Sequence, residues 1–194
     1  ATTVHSTGRH QSRGEHLFHQ VRPSRADRAR VTPAIRVRLV LAAVVGSGLI
    51  ALSVYSIVTG LPLGRLNLLK PGADGPSADV IHRDFPDAAL PPGLGHDGQQ
   101  YYAVARQPMH LDQAARSLDR PRYRLQRIAF PALVWALHPA GGGDGLLWAT
   151  FAVGVAAIAA GTYATGALSV RLGGSPWLGL VFTLAPATML TLLL

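Results

Sequence analysis

Polar and apolar stretches alternate along the chain in long blocks. A polar segment over residues 1–34 gives way to "VRLVLAAVVGSGLIALSVYSIVTG", from Val37 to Gly60, in which Arg38 is the one charged residue. At 1.5 Å per residue such a run makes a helix of about 30 Å or more, the thickness of a hydrocarbon core. A polar stretch with many prolines and glycines follows over 61–127. "RIAFPALVWALHP", Arg127 to Pro139, is apolar again but too short to cross a bilayer. Together with Pro121, which suits a first helical turn, it predicts an interfacial or re-entrant helix over 121–138. "AGGGDG" at 140–145 breaks that helix and reads as a turn, since it lacks the lysine of a phosphate loop. "LLWATFAVGVAAIAAGTYATGALSV" predicts a second span over 146–170, and "PWLGLVFTLAPATMLTLLL" a third over 176–194. Ser175 and Pro176 supply an N-cap and first helical position for the third.

The expected fold is therefore all-α: a polytopic membrane protein with spans at 37–59, 146–170 and 176–194. Gly154, Gly161, Gly166 and the many alanines suit close helix packing in lipid. The last run stops inside an apolar stretch at Leu194, and the chain reads as the N-terminal part of a longer protein. A second topology makes 124–145 a full span and reverses the later helices.

Composition sharpens this picture. Charged residues make up 14% of the chain against about 25% in a soluble domain, which favours lipid as part of the solvent. There is no cysteine, so disulfides contribute nothing. The net charge of +8 points to nucleic acid or to anionic lipid. Much of it lies in residues 1–34, a basic tail expected to be disordered, with no nucleic-acid recognition motif. Membrane lipid is the expected partner and nucleic acid is not. Arg36 and Arg38 extend the basic flank, so the positive-inside rule predicts a cytoplasmic N-terminus and a long first extracytoplasmic loop at 60–127, with Arg171 at a cytoplasmic helix end. The location implied is the plasma membrane, multi-pass. A cleaved signal peptide is disfavoured, because its apolar core would be shorter.

The candidate chemistry lies in the loop. "GHDGQQYY" places Asp97 just before a short helix-compatible run. One reading is structural: Asp97 is an N-cap, Gln100 completes a capping box, and Tyr101 and Tyr102 sit at headgroup level. The other is catalytic, with Asp97 accepting a proton from a substrate hydroxyl. "RSLDRPRYRLQR" follows, and on a helix starting near Pro121 the residues Arg120, Arg124 and Arg127 share one face. They predict either attraction to anionic headgroups or a site for one phosphate group. His96, His110 and His138 form no metal-ligand spacing, so neither metal nor cofactor is indicated.

"DGQQYYAVARQP", then "LDRPRYRLQRIAFPAL", a Gly-rich turn and a long apolar helix together resemble the polytopic GT-C glycosyltransferase superfamily. The likeness is to bacterial membrane proteins with a "DGQ-x-YY-x-x-A" and an "R-x-x-R-I-x-x-P" stretch, and it covers roughly residues 37–194. It implies a cell-envelope enzyme that takes its sugar from a polyprenyl-phosphate donor. Asp97 would correspond to the catalytic carboxylate of the first outside loop. Gln100, Tyr101, Tyr102, Arg124 and Arg127 would contact substrate, the two arginines at the lipid phosphate. Many members carry paired acids or a tryptophan before the acid, where this chain has His96. That departure leaves donor type and use of a divalent metal open.

Overall fold

The structure is a computed structural model that describes residues 32–139 and 141–185. The tail expected over residues 1–34 lies outside the described residues as far as position 31, and so does the end of the third expected span, 186–194. The described residues are helical, without strands.

The helix α1 (Pro33–Thr59) starts on Thr32, whose hydroxyl accepts from the Ile35 N–H, with Pro33 in the first turn. The helix α7 (Asp144–Arg171) covers the second apolar run. Both are long and apolar enough to cross a bilayer. They pack antiparallel, with Leu39 against Gly166 at one end and Tyr55 near Trp148 at the other. Arg36, Arg38 and Arg171 therefore lie at the same end of the pair. Ile50, Val54, Val58 and Ile158 fill the seam. The outward side of α1 is apolar too: Val40, Val44, Leu49 and Leu52 are each at least half exposed. Hydroxyls in both helices bond back to their own backbone, as Ser47 to Ala43, Thr150 to Leu146 and Thr162 to Ile158. This satisfies a polar group without water.

After α7, Ser175 accepts from the Trp177 N–H and Pro176 opens a 3₁₀ turn (Pro176–Leu178), as expected. The helix α8 (Gly179–Leu184) continues it and lies against both α1 and α7. Contact is close because the facing residues are small. A Cβ on Gly46 would stand 2.7 Å from the Thr183 hydroxyl, and one on Gly179 would strike the Thr162 carbonyl. The Thr162 and Thr183 hydroxyls, both buried, share a 2.6 Å hydrogen bond. Such van der Waals and hydroxyl contacts hold helices together where lipid supplies no hydrophobic drive.

The polar stretch between α1 and α7 folds into a cap of short helices. A 3₁₀ turn (Gly64–Leu68) is followed by α2 (Ala78–Asp84), α3 (Asp97–Arg106), α4 (Leu111–Ala115), α5 (Pro121–Leu125) and α6 (Ala129–Leu137). Leu69, Ile81, Tyr102 and Val134 meet Leu146 and Leu147 of α7 in its core. Burying an aliphatic side chain of this size is worth about 1.5–3 kcal/mol. The cap is thus fastened to the first turns of α7.

Two local expectations are corrected. The helix predicted over 121–138 is two helices, α5 and α6, separated by a turn at 126–128. At 9 residues α6 is only about 13 Å long, and it packs on α3 and α7, so no continuous span runs through 124–145. The predicted capping box is absent as well. The residue at the cap of α3 is His96, extended and without a side-chain cap bond, and Asp97 is already the first helical residue.

Candidate functional site: an acid–arginine cluster on the cap

Helix α3 is set against the preceding loop before any chemistry enters. The His96 N–H donates to the Lys70 carbonyl at 3.0 Å. Gly98 lies so close to the Leu69 backbone that a Cβ would be 2.8 Å from its carbonyl oxygen. Gln99 is fully buried, and its amide donates to the Leu94 carbonyl while accepting, at 3.4 Å, from the Gly72 N–H. Contacts at His96, Gly98 and Gln99 therefore fix the start of α3.

Asp97 projects from that turn with half of its side chain exposed, 51%. It pairs with the Nη1 of Arg124, which is 9% exposed. Asp119 takes the other edge of the same guanidinium in a two-pronged bond, Nε to Oδ1 at 2.9 Å and Nη2 to Oδ2 at 3.0 Å. Arg124 is thus clamped between two carboxylates. Its pKa is pushed upward, first by the Asp119 hydrogen bond and then by that from Asp97. Asp119 is pushed down to about 2, mainly by Arg124. Gln100 serves this clamp, because its amide oxygen accepts from the Asp119 N–H at 3.1 Å.

Arg127 stands beside the clamp and is exposed. Its guanidinium donates to the Tyr123 hydroxyl and, at 3.5 Å, to that of Tyr101, and it stacks 4.6 Å over the Tyr123 ring. Its pKa is raised chiefly by the Tyr101 hydrogen bond, then by Tyr123, with the charge of Asp97 the smallest contribution. Its hydrogen-bond partners are neutral, so its charge is not cancelled by a bonded carboxylate as that of Arg124 is. Tyr101 is held by Phe130, edge-on at 6.2 Å.

Tyr102 belongs to a different cluster. It is fully buried, and its hydroxyl donates to Asp84 Oδ2 at 2.7 Å and accepts from the Gly143 N–H at 2.6 Å. Asp84, 5% exposed, is also bound by Arg106 through Nε at 2.8 and 3.0 Å and through Nη2 at 2.8 Å. Gly142 packs directly onto the Asp84 carboxyl, leaving no room for a Cβ. Burial, and then the Asp84 hydrogen bond, push the Tyr102 hydroxyl well above its ordinary pKa. This knot joins α2, α3 and the start of α7.

The six candidate residues accordingly divide. Asp97, Arg124, Arg127 and Tyr101 come together on one side of the cap. Gln100 and Tyr102, expected to contact substrate, do not present their polar groups to it. Both are buried and spend those groups on Asp119 and on Asp84 and Gly143. The same burial keeps the Tyr102 ring from presenting itself to lipid headgroups. Arg120 is exposed and shares no bond with Arg124 or Arg127 beyond the helical backbone. Asp84, Arg106 and Gly143 were missed, and no spacing or local motif marks them. Asp119 carried a signal, a carboxylate just ahead of Pro121 and five positions before Arg124.

Two clefts stand out on the cap. One of about 410 Å³ lies beside Arg65, Asp84, Asp87 and Asp144. The other, of about 260 Å³, is lined by Arg83, Arg106 and Arg116. Asp97 lines neither. Among the described residues no His, Asp or Glu cluster could hold a metal ion. No protein-family model matches the chain, and no curated protein or solved structure matches it either.

Proposed function

We propose that the protein is a membrane glycosyltransferase of GT-C type, which moves a sugar from a polyprenyl-phosphate donor to an extracytoplasmic acceptor. The observation that carries this reading is Asp97 itself. It is a half-exposed carboxylate at the rigid first turn of a helix, steadied by buried Arg124 and next to the exposed cation Arg127. The resemblance of its surrounding motif to that superfamily supplies the reaction class. Two apolar helices with a lipid-compatible outer face support the membrane setting. Their shared basic end, Arg36, Arg38 and Arg171, supports a cytoplasmic N-terminus and an outside cap.

In this reaction Asp97 accepts the proton of the acceptor hydroxyl as its oxygen attacks C1 of the sugar. The C1–O bond to phosphate breaks, and polyprenyl phosphate leaves. Arg127, whose charge is not spent on a carboxylate, is the better placed of the two arginines to stabilise that leaving group. Arg124 orients Asp97 instead.

A second reading, a non-enzymatic membrane scaffold, is favoured by one observation: Gln99, Gln100 and Tyr102 of the same motif are consumed in internal bonds. Transfer of labelled sugar from a polyprenyl-phosphate donor, in membranes carrying the protein, separates the two. Removing a general base costs about 10²–10⁴-fold, so Asp97→Asn is expected to lose at least about a hundredfold in rate with membrane insertion unchanged. Full transfer by Asp97→Asn, or the absence of donor-dependent transfer by the native chain, would overturn the enzymatic reading.

A further inference from the structure

The 260 Å³ cleft is a separate feature, and its lining has one sign of charge. Arg83 comes from the last turn of α2, Arg106 from the last turn of α3, and Arg116 from the end of α4. Among the described residues that line it there is no carboxylate. Gln107, Gln113 and Ser117 add uncharged side chains that can donate hydrogen bonds. Arg83 and Arg116 are exposed and take part in no ion pair among the described residues. Arg106 is held differently. Asp84 takes its Nε and Nη2, which fixes the guanidinium plane and leaves Nη1 outside the pair.

We infer that this cleft binds a phosphate group. Arginine forks match the geometry of phosphate oxygens, and such charge-assisted bonds are about twice as strong as neutral ones. Asp84 offsets one of the three positive charges. The C-terminal ends of α2, α3 and α4, which carry Arg83, Arg106 and Arg116, also oppose an anion, each with at most about half a charge. The surplus is therefore modest, and the site depends on Arg83 and Arg116 together. The volume suits a phosphate with a small substituent and not a folded nucleic acid. The same chemistry could come from an anionic lipid headgroup or from a free phosphate ester. Neither requires Asp97 or Arg127, so the inference stands apart from the transferase reading.

The test uses the full chain in neutral phosphatidylcholine nanodiscs. Inorganic phosphate is titrated calorimetrically in one arm. In the other, phosphatidic acid is added to the discs and retained lipid is counted by native mass spectrometry. Arg83→Gln and Arg116→Gln remove exposed side chains that have no ion-pair partner among the described residues, so both variants are expected to fold. Each should weaken binding about tenfold, the scale of one charge-assisted bond, and the double variant should abolish it. Saturable binding of inorganic phosphate assigns a free phosphate. Retention of phosphatidic acid without phosphate binding assigns a headgroup. No saturable binding in either arm, or binding that the double variant keeps, overturns the proposal.

Discussion

Replacing Tyr102 by Phe removes one oxygen atom from the centre of the cap and leaves its shape intact. The hydroxyl has two partners, a nearly buried carboxylate at 2.7 Å and the Gly143 N–H at 2.6 Å. A hydrogen bond to a charged group contributes about 1.5–3 kcal/mol and one to a neutral group about 0.5–1.5 kcal/mol. The second loss is partly offset, because the Gly143 N–H also lies 3.3 Å from Asp84 Oδ2. The net cost is about 2–3 kcal/mol, a large part of a stability that is typically about 5–15 kcal/mol. For a chain of this size that lowers the thermal midpoint by roughly 4–12 °C. The assay is thermal unfolding in a neutral detergent, with Tyr101→Phe as control. The Tyr101 hydroxyl has only a 3.5 Å contact with exposed Arg127, so its removal should change stability by less than about 0.5 kcal/mol. A Tyr102→Phe midpoint within a degree or so of the native one, or equal losses at the two sites, would refute the reasoning. Tyrosinate absorbance gives an independent check. The hydroxyl is raised in the folded state from an ordinary value of 10.0, so its contribution is complete below pH 10 and is lost as the pH climbs beyond it. While folded, native protein and Tyr102→Phe should show the same tyrosinate signal at pH 11. In denaturant the variant should be one tyrosine short.

Two further outcomes follow from the described contacts. Asp119 is depressed in the folded state from 3.8 to about 2, so its contribution is present above about pH 4 and disappears as the pH falls through 2. The thermal midpoint of the native chain should fall more steeply between pH 4 and 2 than that of Asp119→Asn, and parallel curves would count against the clamp. Gly179→Ala places a methyl group against the Thr162 carbonyl and should push α8 from α7. A loss of about 1–3 kcal/mol is expected, as in overpacked cores, together with breakage of the Thr162–Thr183 bond, whereas unchanged stability would show that the seam is loose.

The long apolar helices and the Ser175–Pro176 start were legible because each depends on neighbours within a few residues. Hydropathy over a bilayer-length window places α1 and α7 without knowledge of their partners. The cap was less legible, because its side chains choose partners far along the chain. Asp97 satisfies every local rule for an N-cap, yet Arg124 captures its carboxylate, and Gln100 turns to the Asp119 N–H instead of back to its own helix. The arginine stripe read along one helix fails for a related reason. The turn after Leu125 swings the chain into α6, burying Arg124 while leaving Arg127 outside. Asp84 is the extreme case, since its partners at 102, 106 and 143 have no sequence proximity to announce them.

Gly143 is the last member of the knot to leave the ribosome, directly ahead of α7. Tyr102 and Asp84 are synthesised well before it, and until it arrives their buried polar groups lack a backbone donor. The cap therefore cannot settle into its final form when it first emerges behind α1. The knot is complete only once the start of α7 is in place. Docking of the second apolar helix and completion of the knot are in this sense one event, because Gly143 belongs to both.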